Sequence, residues 1–164
     1  MLYASAAFLF LFLPLTLGVY MLVSERTKRH VLLFSGLLFY ILANLACPLA
    51  ILVFAVVFVI TYFAGRRVAK TGSRALTWCV VFADIAAFAV LRLLYEYTDV
   101  NFLFPLGAAI YLLASVSYIV DIKRGDCKPG SIHDTLLYLS FFPVIVAGPV
   151  IKYKDFIGGL VGDL

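Results

Sequence analysis

The stretch VLLFSGLLFYILANLACPLAILVFAVVFVITYFA, residues 31–64, decides how this chain is built. It runs for 34 residues without a charged side chain, whereas one helix needs only about 20 to cross a bilayer. Asn44, Cys47 and Pro48 interrupt it near the middle. A proline ends or kinks a helix because it lacks an N–H and crowds the preceding turn. The interruption leaves two halves of about 16 residues, each about 24 Å long as a helix and short of a ~30 Å hydrocarbon core. Two short spans still fit where the bilayer thins. The basic segments on either side, SERTKRH at 24–30 and GRRVAKTGSRA at 65–75, both favour the cytoplasm under the positive-inside rule. Both lie there only if 31–64 goes out and returns, so a short helical hairpin is expected.

Composition supports a membrane setting for the whole chain. Of its 164 residues 65% are hydrophobic and only 13% charged, against roughly 45–50% and 25% in soluble globular proteins. Mean hydropathy is +1.09. A water-soluble fold of this size cannot hide so much apolar surface, because a domain of about 150 residues still exposes nearly a third of what its unfolded chain exposes. A soluble globule and a nucleic-acid-binding module are thereby excluded, and no nucleic-acid partner is expected. The net charge of +4 matters less than where the charges lie.

Working outward, 4–23 is a first span, read as uncleaved because no basic stretch precedes it and no small-residue cleavage site follows. Its Pro14 is expected to kink it or to lie at a packed contact. Residues 76–94 form another span, leading to YEYTDVN at 95–101, which holds Glu96 and Asp99 and no Lys or Arg. Residues 102–120 return to DIKRGDCKPGSIHD at 121–134. Ten of the thirteen basic residues then fall in three segments on one side, which puts the N-terminus outside. The last apolar stretch, 135–151, is short and carries Pro143, Gly148 and Pro149. Non-helical backbone at membrane depth is tolerated only inside protein or along a wet cavity. This stretch is therefore either a full crossing that exports Lys152 and Lys154 or a broken, re-entrant segment that keeps them inside. The fold class is all-α: a polytopic helical membrane protein of about five to six membrane segments.

Candidate chemistry is sparse. Cys47, Cys79 and Cys127 have no spacing that suits zinc or a redox pair, and read as small buried hydrophobes; no metal is expected. His30 ends a basic segment at headgroup level. His133 stands beside Asp134, but neighbours on a helix point in different directions, and Asp134 reads as part of a helix N-terminus. Neither histidine is assigned a catalytic role. Phe and Tyr read as mostly lipid-facing or interfacial. Asp84 is the most unusual residue, an acid eight residues into a span, where it costs at least about 2.5 kcal/mol. Two readings stand for it: a polar wall of a substrate path or proton relay, and a structural interhelical hydrogen bond. Arg92 lies about 12 Å further along the axis, too far for a direct ion pair.

The runs LGAAIYLLASVSYIVDIKRGD and DTLLYLSFFPVIVAGPVIKYKDF resemble the membrane-bound O-acyltransferase family, in its bacterial branch acting on alginate and teichoic acids. The matching residues are Pro105, Leu106 and Gly107; Ser117, Tyr118, Asp121, Arg124 and Gly125; and Phe142, Pro143, Ala147, Gly148, Pro149 and Lys152. The chain departs from the pattern at Ala108, Ala109 and Ile110, and at Val144. The family's catalytic histidine lies in a later region without a counterpart in these residues. The resemblance implies a single membrane domain over 1–164, the N-terminal part of a longer acyltransferase and inactive alone. It implies transfer of an acetyl- or D-alanyl-type group to hydroxyls of a cell-surface polysaccharide. The donor would be acyl-CoA or an acyl carrier protein, with no resident cofactor, in the plasma membrane with the basic loops cytoplasmic.

Under that resemblance this part supplies scaffold and substrate-path walls: Asp84, Asp121, Arg124, Pro143, Gly148, Pro149 and Lys152. Lys123, Arg124 and Lys128, with Lys152 and Lys154, offer a basic rim to donor phosphates, although positive-inside topology alone accounts for such lysines. The implied partners are the lipid bilayer, the acyl donor or carrier and the envelope polysaccharide. Rival readings are a small multispan transporter or channel component and a non-catalytic accessory membrane protein.

Overall fold

The computed structural model describes residues 8–45, 47–97, 107–147 and 151–161, which are helical with no strand among them. A π-helical turn, Phe8–Phe12, leads into α1 (Leu13–Leu22). Pro14 sits in the first turn of α1, where its missing N–H leaves nothing unsatisfied. The helix type changes just before the proline, and Pro14 itself is exposed, which departs from the packed contact expected as the alternative.

The hairpin forms as α2 (Glu25–Ala43) and α3 (Pro48–Thr71), with Pro48 in the first turn of the second helix. Tyr40 Oη donates to Ala50 O across the bend at 3.1 Å. The halves are not short. Each recruits its charged flank into the helix, giving 19 and 24 residues, about 28 and 36 Å. The segments 24–30 and 65–75 are accordingly mostly helix. Arg66 lies over the Tyr62 ring, 4.7 Å from its centroid, so a guanidinium completes the last apolar turns. Gly72 ends α3 at φ 59° and donates to Val68 O at 2.8 Å. Only Gly72 and Ser73 then separate α3 from α4 (Arg74–Tyr97).

Among the described residues two helices, α3 and α4, are long and apolar enough to cross a membrane. Between α4 and the third long core helix, α5 (Ala108–Arg124), lie residues outside the description. Helix α5 runs parallel to α3. Thr61 meets Ser115, Gly65 meets Tyr118, and Lys123 Nζ donates to Gly72 O. It also packs against α4, α6, α7 and α8, and its Tyr111, Ser115, Tyr118 and Ile119 are wholly buried.

The last apolar stretch is broken, as its prolines require. Helix α6 (Ile132–Ser140) stops at Phe141, and α7 (Phe142–Ala147) contains Pro143. Ser131 caps α6, and Asp134 completes a capping box by accepting from the Ser131 N–H. Asp134 is thus the third helical residue, with the cap itself at Ser131. After residues outside the description, the chain lies beside α6 again: Tyr138 Oη donates to Ile151 O at 2.8 Å. Helix α8 (Tyr153–Val161) begins there. Tyr153 packs edge-on to Tyr118 and Tyr138, with centroids 4.7 and 5.2 Å apart.

These contacts correct two expectations. The tyrosines are not chiefly lipid-facing: Tyr40, Tyr111, Tyr118, Tyr138 and Tyr153 are all buried. Their rings fill the helix interfaces while buried hydroxyls reach a backbone partner at Ala50, Ile151 and Gly130. Among the cysteines only Cys47 is buried; Cys127 is partly exposed, and Cys79 faces outward on α4, along the same helix as exposed Trp78 and Phe82.

Candidate functional site

Two places carry polar chemistry, one between α4 and α5 and one at an end of the bundle. The first is built around Asp84. Helix α4 turns Thr77, Val80, Val81, Asp84 and Leu91 inward, a spacing of three, four and seven that makes one helical face. Asp84 is 6% exposed, and its Oδ2 has no hydrogen-bond partner among the described residues. Ser115 of α5 is its polar neighbour. The Ser115 hydroxyl is in turn 2.7 Å from Thr61 Oγ1, which donates to Val57 O at 2.7 Å. A chain of buried polar side chains thereby links α3, α4 and α5. Beside Asp84 opens a cleft of about 170 Å³ between α4 and α5, lined by Ile85, Phe88, Ala109, Leu112, Leu113 and Val116. Arg92 pairs instead with Glu96 at 3.8 Å, one helical turn on.

The second place is one end of the bundle, where α3 and α5 finish and α2, α6 and α8 begin. Arg29 and Asp134 approach to 3.9 Å, and the His30 and His133 rings stand 5.9 Å apart. These pairings bring the start of α2 beside the start of α6. Lys123 bonds to the end of α3. The three basic segments therefore lie at a common end. Tyr153 joins them there, between Tyr118 and Gly130, so Lys152 and Lys154 flank it at the same end. Of the two readings of 135–151, the doubled-back one matches this geometry.

Asp121 is 4% exposed near that end, with Oδ2 unpartnered among the described residues. Arg124 and Lys152 are exposed. Gly148 and Pro149 lie outside the described residues, as do Pro105 and Leu106 of the sequence motifs. Pro143 sits in α7, where Ile110, Ala114, Tyr138, Leu139, Phe141, Val144, Ile151 and Phe156 leave a void of only about 10 Å³, the size of a single water. Asp84 and Pro143 therefore belong to different sides of α5 and share no cavity. Sequence reasoning missed the Thr61–Ser115 partnership. A signal existed, since Thr61 and Gly65 form a small-xxx-small pair of the kind that lets membrane helices approach.

Cys127 reports on the basic end. Its thiol is pushed up to about 11 by burial and then by the charges of Asp121 and Asp126. Fewer thiolates exist at a given pH, so alkylation is expected to be slow at pH 8 and to keep rising toward pH 11, where an ordinary thiol levels off near 9. With Cys47 and Cys79 replaced, a labelling rate that levels off below about pH 9.5 contradicts this environment. Asp121→Asn is expected to speed labelling at pH 8, because it removes one of the raising charges.

The chain is 32% identical over 179 residues to the probable alginate O-acetylase AlgI of Pseudomonas aeruginosa, covering 96% of this chain and 34% of that protein. It is 31% identical to the protein of the same name from Azotobacter vinelandii, over 96% of this chain and 35% of the relative. The Pseudomonas fluorescens protein gives 31% identity over 94% and 32%. The chain thus spans about a third of the length of these relatives. No protein-family model and no solved structure matches it.

Proposed function

Because this chain is a relative of the alginate O-acetylases, in the membrane-bound O-acyltransferase family, we propose that it builds one part of a membrane enzyme that moves an acyl group onto hydroxyls of a cell-surface polysaccharide. The observation that carries this reading is identity of 32% sustained over 96% of the chain. Acyl transfer from a thioester to a hydroxyl needs a base at the hydroxyl and donors for the developing oxyanion. Both histidines are exposed at the basic end, so in this reading the base comes from elsewhere in the whole protein. The part described here holds the frame. Helix α5 ties the α3–α4 pair to the doubled-back α6–α7 segment, and the basic end meets the phosphates of a coenzyme A or carrier-protein arm.

The proposed topology has five crossings, α1 to α5, and a re-entrant α6–α7, with the basic end in the cytoplasm. In a cysteine-free background, Lys70→Cys is expected to react with an impermeant maleimide only after the membrane is opened, and Glu96→Cys in intact cells. The reverse pattern overturns the orientation.

The function is tested by a chimera in which this chain replaces the matching third of the Pseudomonas aeruginosa relative. The expected result is a chimera that restores O-acetyl groups to the exported polysaccharide, while the 164-residue chain alone restores none. A chimera that accumulates normally in the membrane and leaves the polysaccharide unmodified refutes the reading.

A further inference from the structure

Hydroxyl hydrogens are scarce around Asp84, and their number fixes which groups donate. Thr61 Oγ1 stands 2.7 Å from Val57 O and 2.7 Å from Ser115 Oγ. A hydroxyl carries one hydrogen and a carbonyl oxygen none. The contact with Val57 O therefore takes the hydrogen of Thr61. The contact between the two hydroxyls then takes the hydrogen of Ser115. Ser115 has none left for Asp84, the next side chain it bonds. A carboxylate is an acceptor only, so an ionised Asp84 would meet an oxygen that offers it nothing but lone pairs.

We propose that Asp84 stands in the bundle as a neutral carboxylic acid, and that its proton is the donor clasping α4 to α5. Oδ1 donates to Ser115 Oγ, Ser115 to Thr61 Oγ1, and Thr61 to Val57 O. The bonds all run one way and end on the backbone of α3. The surroundings fit a neutral group. Thr61 and Ser115 are wholly buried, and Asp84 is 6% exposed. Its other oxygen, Oδ2, is sealed from solvent with no partner among the described residues. An unpaired carbonyl of a neutral acid is far cheaper to bury there than part of a carboxylate charge. Ser115 is the polar group that acts on Asp84, and the cleft beside them is lined by apolar side chains such as Phe88, Leu112 and Val116. Among the described residues no charged side chain pairs with it: Arg92 of the same helix is taken by Glu96. The clasp has two states. Once water takes the proton, each donor reverses: Ser115 turns to the carboxylate, Thr61 turns to Ser115, and Val57 O loses its side-chain donor. The proton state of α4 is thereby passed to α3 by the rotation of two hydroxyls. This holds with or without the acyl-transfer reading.

The test is infrared difference spectroscopy of the 164-residue chain in lipid nanodiscs at neutral pH, where the carbonyl stretch of a protonated carboxyl stands clear of the carboxylate bands. The unsubstituted chain minus Asp84→Asn is expected to show the protonated band and no carboxylate difference. The asparagine amide still donates to Ser115, so this variant keeps the clasp. Aspartate with a heavy carboxyl carbon should shift the same band in the unsubstituted chain, a readout that needs no variant to fold. Asp121 is the other buried aspartate among the described residues, and Asp121→Asn should leave the Asp84 band in place. Unfolding should erase the band, because an aspartate in water ionises at about pH 4. Ser115→Ala and Thr61→Val should each move the band, the first by removing its acceptor and the second by freeing the Ser115 hydrogen. Thr77→Val should not move it, since Thr77 is buried on the same helix but bonds to Ser73 O. Carboxylate bands assigned to Asp84 in the folded chain overturn the proposal. A protonated band that neither Ser115→Ala nor Thr61→Val moves overturns it as well.

Discussion

Gly36→Ala is expected to lower the unfolding midpoint of the chain in detergent more than any other single methyl addition on α2. A Cβ built at Gly36 comes within 2.5 Å of Ser140 O and 3.3 Å of Ser140 C. The obstacle is backbone, so no rotamer change relieves it. It is also the last residue of α6, immediately before the break at Phe141. Two effects oppose each other. Alanine is the better helix former by about 1 kcal/mol, whereas overpacking a close contact costs about 1–3 kcal/mol and sometimes more. With a carbonyl as the neighbour the upper part of that range applies, and a net loss of about 2 kcal/mol results. The doubled-back α6–α7 segment should loosen first, visible as faster amide exchange at 137–140 than at 111–119. A stabilised Gly36→Ala protein would show that α2 and α6 do not approach as described.

Gly65→Ala carries the second large effect, at the crossing of α3 and α5. Its Cβ meets Tyr118 Cε1 at 2.5 Å and Ile122 Cδ1 at 3.1 Å. Here the obstacle is a side chain, so whether the ring can turn away decides the outcome. It cannot do so freely. Tyr118 is wholly buried, its hydroxyl accepts from the Gly130 N–H at 3.3 Å, and Tyr153 holds its edge at 4.7 Å. A loss of about 2–3 kcal/mol is expected, read as a lower midpoint. A double-mutant cycle separates the cause: Tyr118→Leu should weaken the chain alone but recover part of the Gly65→Ala loss, giving a coupling of about 1 kcal/mol. Additive losses would mean that the two residues do not meet.

Much of the architecture was written locally. The break at Asn44–Pro48 follows from proline chemistry, as does the broken stretch at 141–143. The start of α6 follows from Ser131 and Asp134, and the common basic end from the three clusters of Lys and Arg. These signals are properties of a residue and its near neighbours. Helix extents were less legible, because a charged flank reads as loop until an aromatic such as Tyr62 gives Arg66 a place to lie. The roles of Gly36 and Gly65 were not legible, since a small residue is defined by what faces it across an interface. Asp84 was singled out correctly as an intruder among apolar residues. Its neighbour Ser115, 31 positions later, is a tertiary fact. So is the separation of Asp84 from Pro143 by α5, which divides the expected path wall in two.

The parallel pairing of α3 with α5 also has a consequence for how the chain is made. Helix α4 lies between them in sequence, so Asp84 leaves the ribosome before the serine that neighbours it in the finished bundle. At about 5–20 residues per second, the 31 positions from Asp84 to Ser115 take about 2–6 seconds. Thr61 has no such delay, because its hydroxyl bonds within its own helix, to Val57 O. During that interval a nascent α4 carries its acid without the serine that stands beside it in the finished bundle, and only the arrival of α5 supplies that neighbour.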